Sequence, residues 1–99
     1  IKWATYMVRT YDIDGIRLDT APYVQKEFLG DLQQAVGVPI LGEVGTTNFT
    51  FFASYSPADG PHVLDGLLNF HTSQVVPAAF CGSFYPHAML NLTRLGSDM

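Results

Sequence analysis

Asp19 and Glu43 are the residues of this chain best placed to do chemistry, because each closes a short apolar stretch with a carboxylate. In Gly15-Ile16-Arg17-Leu18-Asp19, Ile16 and Leu18 alternate with Arg17 and Asp19. Alternate side chains of a strand share a face, so Arg17 and Asp19 point the same way. A guanidinium beside a carboxylate favours the ionised acid. An acid held as an anion is suited to act as a nucleophile or to stabilise a cation. Val38-Pro39-Ile40-Leu41-Gly42-Glu43-Val44 repeats the design, and there a carboxylate is costly unless it is needed or faces solvent. Each acid also has a plain structural use: Asp19 as the ion-pair partner of Arg17, Glu43 as an exposed acid opening a loop.

The elements that must position them can be read from periodicity. Residues 1–9 have the pattern of an amphipathic helix, with Trp3, Met7 and Val8 on one face and Tyr6 beside them. Residues 15–19 form a first strand. Thr20 is an expected N-cap of a second helix, with Pro22 in its first turn. Val24, Phe28, Leu32 and Ala35 or Val36 mark its apolar face, and Gly37 its stop. Residues 38–44 form a second strand, and strand–helix–strand implies a parallel pair with a right-handed crossover. Residues 45–61 read as a long loop carrying Phe49, Phe51, Phe52 and Tyr55, either a stacking platform or aromatics that pack the loop down. A third strand is expected over 63–70, with Asp65 and Gly66 marking an irregularity. A third helix is expected over 72–80, broken or shortened by Pro77. A short helix over 88–95 is a further candidate.

Composition narrows the function. The chain has 99 residues, which allows one small domain, and a net charge of −4, which argues against nucleic acid as a partner. No apolar run is long enough to span a bilayer, so no membrane partner is expected. The single Cys81 cannot form an internal disulfide and reads as a small buried hydrophobe. His62, His71 and His87 show no metal-ligand spacing.

Gly15-Ile16-Arg17-Leu18-Asp19 followed by Gly42-Glu43-Val44 resembles two of the short signatures of the α-amylase family of glycoside hydrolases. Val63-Leu64-Asp65-Gly66-Leu67-Leu68-Asn69-Phe70 is similar to the next barrel strand of the fungal-type secreted members, and the likeness runs from Trp3 to Phe80. It implies an α/β fold, the (β/α)8 TIM barrel. Such barrels usually need about 250 residues. The expectation is therefore that residues 1–99 are a fragment of the catalytic barrel domain, about three βα units of its central part.

By the same resemblance, Asp19 is the nucleophile of a retaining glycosidase and Glu43 its general acid/base, acting on α-1,4-glucosidic bonds of starch or glycogen. Arg17 would orient Asp19 and contact substrate. Tyr23 stands where the family commonly has His, and Pro22 where it commonly has Lys, at positions that contact the sugar. Tyr23 is thus a candidate substrate residue or simply a helix-packing tyrosine. Its backbone carbonyl is an expected ligand of a structural calcium, whose other ligands lie upstream. The family's third essential carboxylate lies within a His-Asp pair that this chain lacks, and Asp98 is a poor substitute. The resemblance further implies a secreted, monomeric enzyme, and two glycosylation sequons, at Asn48 and Asn91, agree with secretion. Two rivals share the motif: a glucanotransferase, and a non-catalytic member acting as a binding subunit, against which the retention of both carboxylates counts.

Overall fold

A computed structural model describes residues 1–56 and 63–80. The chain divides into two compact units, Ile1–Leu68 and Asn69–Met99. The expectations for Cys81, His62, His87, Asn91, Asp98 and the helix over 88–95 fall outside the described residues.

The first unit begins with α1 (Lys2–Tyr11), which ends two residues later than expected. It ends where Asp12 turns left-handed at φ 52° and the Ile13 N–H bonds the Val8 carbonyl at 3.1 Å. That bond, with Ile13 packed on the core beside Val8, is the paired hydrogen-bond and apolar contact of a Schellman stop. Next come β1 (Ile16–Leu18), β2 (Ile40–Gly42) and β3 (Gly66–Leu67), which form a parallel sheet in the order β1-β2-β3. Ile16 pairs with Ile40, Leu18 with Gly42, and Gly42 with Leu67.

Between β1 and β2 lies α2 (Lys26–Val36). Its start corrects the expected helix from Thr20. Ala21–Tyr23 is a separate 3-10 turn, and Val24 is extended, which breaks the chain from the helix proper. Thr20 does precede that turn, but its side chain makes no capping bond. The buried stripe is Leu29, Leu32 and Val36, whereas Val24 and Phe28 are exposed. Gly37 stops the helix at φ 70°, a conformation glycine adopts without steric cost. Leu29, Ile40, Leu64 and Val44 are fully buried and form the centre of the core under the helix side of the sheet.

Two further expectations are corrected. The region after β2 is not structureless: α3 (Phe49–Ala53) forms within it, because the Asn48 side chain accepts the Phe51 N–H at 3.0 Å and caps a helical turn. The third strand keeps only two residues, since Phe70 already opens α4 (Phe70–Phe80). In the second unit α4 runs through Pro77 without a break. The missing proline N–H costs one helical hydrogen bond and does not end the helix.

Gln33 holds the sheet to α2. Its Nε2 donates to the Val38 carbonyl at 3.0 Å, and its Oε1 accepts the N–H of Ile40 at 3.2 Å and of Asp65 at 3.1 Å. One amide thus fixes the lead-in to both β2 and β3. Gln33→Leu would leave those backbone groups without partners, and should destabilise the folded protein by about 1–3 kcal/mol. Chemical denaturation of the full-length protein checks this; an unchanged midpoint would show that water replaces the amide.

Candidate functional site

The parallel pairing of β1 and β2 sets Asp19 and Glu43 side by side. Each follows the last residue of its strand, Leu18 or Gly42, and these two are register partners. The Glu43 N–H extends the ladder to the Leu18 carbonyl at 2.8 Å, and the Ala21 N–H bonds the Glu43 carbonyl at 3.0 Å. Arg17 pairs with Leu41 on the same face, opposite the packed side chain of Ile40. Gly42 is needed between them: a Cβ there would run into the side chain of the fully buried Leu64.

Arg17 reaches both acids, but not in the expected order. Its Nη2 donates to Glu43 Oε2 at 2.5 Å, while its Nη1 stands 3.6 Å from Asp19 Oδ1. The long side chain crosses to the neighbouring strand instead of folding back along its own, so Arg17 holds Glu43 more closely than Asp19. The Asp19 side chain is 68% exposed and that of Glu43 24%.

The pKa of Glu43 is raised above its ordinary 4.5. A hydrogen bond to the Asp19 carboxyl is the largest cause, followed by partial burial and by the Asp19 charge, against which Arg17 pulls downwards. Two carboxyls in hydrogen-bonding reach share a proton more readily than they hold two charges. A raised pKa suits Glu43 to hold and donate a proton, one half of the division of labour that carboxylate-pair catalysis uses.

Tyr23 follows in the next turn. It sits in the 3-10 turn, 88% exposed, with no hydrogen bond or ring contact from its side chain among the described residues. Calcium takes about six to eight oxygens. The described residues contain no group of three or more His, Cys, Asp or Glu side chains that could hold a metal ion.

The aromatic region after β2 mostly packs. Tyr55 is buried, and burial raises the pKa of its phenol. Phe51 meets Tyr55 edge-on at 5.4 Å, and Phe49 meets Phe52 at 6.2 Å. Lys26, which the sequence did not single out, sits 4.5 Å over the Tyr55 ring and donates to Ser54 at 2.6 Å. This ties the N-terminus of α2 to the region that follows Glu43. Gln33 was also missed, because nothing local distinguishes either residue from a solvated helix position.

No family model matches the chain. It is 33% identical over 79 residues to Alpha-amylase 1 of Lipomyces kononenkoae, covering 80% of this chain and 12% of that protein. Over 42 residues it is 45% identical to Alpha-amylase 2 of Schwanniomyces occidentalis, covering 42% of this chain and 8% of that protein. The solved structure of an alpha-amylase from Malbranchea cinnamomea superposes with a TM-score of 0.81 at 28% identity, over 98% of this chain and 20% of that one. The chain therefore spans a small part of the relatives it matches. Parallel strands joined by helices and these likenesses agree: the chain belongs to the α-amylase family of glycoside hydrolases and forms a segment of its (β/α)8 barrel.

Proposed function

We propose that the protein carrying this chain hydrolyses α-1,4-glucosidic bonds of starch or glycogen with retention of configuration. The observation behind it is the placing of Asp19 and Glu43 directly after register-paired ends of adjacent parallel strands, with Arg17 reaching both acids. Retaining glycosidases set their carboxyls about 5–5.5 Å apart, whereas inverting ones leave about 6.5–9.5 Å for a water. Asp19, exposed and unhindered, attacks the anomeric carbon. Glu43, whose raised pKa keeps its proton to higher pH, protonates the departing glycosidic oxygen. The same carboxylate then takes a proton from the water that releases the sugar from Asp19. Arg17, bonded to Glu43 and near Asp19, holds the pair in place. Tyr23 offers an exposed phenol to a neighbouring sugar unit.

The reading extends to the setting of the full-length protein. Secretion and a monomeric state accord with it, and among the described residues no helix is long and apolar enough to cross a membrane. Asn48 caps α3 through Oδ1, which leaves its amide nitrogen for a glycan. A structural calcium would take the Tyr23 carbonyl as one oxygen among others that the described residues do not provide.

Following the anomer released from a maltooligosaccharide by NMR tests the reading. The α-anomer should appear first, and early β-anomer would overturn it. Chain-length redistribution without new reducing ends would instead identify a glucanotransferase. The pH profile adds a signed prediction. Glu43 must be protonated to act as acid, so kcat should fall as pH rises through its raised pKa. Arg17 lowers that pKa, so Arg17→Gln should move the alkaline limb to higher pH; a shift to lower pH would show that Arg17 does not act on Glu43.

A further inference from the structure

We propose that a one-residue bulge at Thr20 is a positioning element that aims Asp19 at Glu43. The proposal rests on the roles assigned to those two residues above. In a regular parallel ladder successive bonds advance by alternate residues. The Glu43 N–H bonds the Leu18 carbonyl at 2.8 Å. The next bond of a regular ladder would run from the N–H of residue 20 to the Glu43 carbonyl. Here the donor is the N–H of Ala21, at 3.0 Å. One extra residue has been inserted, and it is the residue directly after Asp19.

The backbone shows how the insertion is made. Thr20 is left-handed, with φ 48° and ψ 45°. For a β-branched residue this conformation is a strained outlier, and strain of this kind persists only where the surroundings over-determine it. They do so on two sides. The Ala21 N–H is held by Glu43, and the Ala21 methyl is fully buried in the core. The only other described non-glycine residue with positive φ is Asp12, which ends α1, a common place for it.

A bulge bends its strand and re-aims the side chains next to it. Without the insertion, Asp19 would continue the straight path of β1 beside Glu43. With it, the chain turns at Thr20, directly after Asp19, whose carboxylate stands 3.6 Å from the Arg17 guanidinium that also donates to Glu43. The main chain of Glu43 is gripped through its N–H by Leu18 of β1 and through its carbonyl by Ala21 of the 3-10 turn. The bulge therefore fixes both members of the pair relative to one another, through the backbone and independently of the Arg17 side chain.

Replacing the Thr20–Ala21 amide with an ester in the full-length protein deletes the one N–H and leaves every side chain in place. We expect kcat to fall by about tenfold to a hundredfold with KM little changed, as misplacement of a catalytic group does. The alkaline limb of the kcat profile should move to lower pH, because Glu43 loses part of its raising contact with Asp19. A merely structural bond would lower the melting temperature and leave that limb in place. Thr20→Gly and Thr20→Asn tolerate the left-handed backbone and should keep kcat, whereas Thr20→Pro, whose ring holds φ at about −65°, should lose it. Unchanged kcat and pH profile in the ester protein would overturn the proposal. So would loss of activity in folded Thr20→Gly, which would assign the role to the threonine side chain. If the ester protein does not fold, equal activity of Thr20→Gly and Thr20→Pro overturns it, and activity in the glycine variant alone supports it. Asp19→Asn and Glu43→Gln serve as controls. If they stay active, the assignment of the carboxylates has failed; if they are inactive while the ester protein is normal, only the bulge proposal has.

Discussion

Asp19→Asn in the full-length protein should lower kcat on starch by a factor on the order of 10⁴ to 10⁶, as loss of a covalent nucleophile does in other hydrolases. An amide is nearly isosteric with the carboxylate but cannot form the glycosyl ester. At about 1.36 kcal/mol per tenfold, that loss is roughly 5–8 kcal/mol of transition-state stabilisation. Glu43→Gln should cost less, about 10² to 10⁴, the usual share of a general acid/base. The two variants should also differ in kind. A substrate whose leaving group departs without protonation should recover part of the first step in Glu43→Gln, so that glycosyl-enzyme accumulates and a burst appears. The same substrate should do nothing for Asp19→Asn. Near-normal starch hydrolysis by both variants would remove these residues from the chemistry, and rescue of Asp19→Asn in place of Glu43→Gln would reverse their roles.

The second large effect is expected from residues 1–99 produced alone: no measurable starch cleavage and only marginal stability. The three described strands form an open sheet, with β1 and β3 each paired on one side. A closed barrel has no such edges, and open ones invite association with other chains. On the face that carries Arg17 and Glu43, Leu41 is 48% exposed. On the other side, Trp3, Met7, Ile13, Ile16 and Phe28 line an apolar groove of about 480 Å³ between α1, β1 and α2. A chain this short already buries little surface for its length. The third carboxylate that the family resemblance calls for is not among its residues. Thermal unfolding of the purified chain, with a starch assay, checks both halves. A soluble monomer that melts cooperatively and cleaves starch would contradict both the dependence on the rest of the barrel and the need for a third acid.

Several features were settled by local sequence. Alternation in Gly15-Ile16-Arg17-Leu18-Asp19 puts Arg17 and Asp19 on one face whatever the strand packs against, because side-chain direction has a period of two. Gly37 stops α2 because the left-handed turn is a property of one residue's backbone. Strand, helix and strand in succession require a parallel pair, and so bring the two acids to the same edge. These signals act over a few residues, which is why they can be read without the fold.

What only the tertiary structure decided depends on partners far apart in sequence. Arg17 takes Glu43 as its closer partner because the neighbouring strand, 26 residues on, lies within reach of its long side chain. The apolar spacing that suggested a helix from Thr20 was overridden by bonds that hold this segment in other conformations, among them Ala21 to Glu43 and Val24 to Ala21. Phe28 fits the helical pattern as well as Leu29 does, and only the position of the sheet determines that Leu29 is the one buried. Gln33 reaches Asp65 across 32 residues, and Lys26 reaches Ser54 across 28. No pattern within α2 could have indicated these contacts, because each exists only once the crossover has brought the strands and their following segments together.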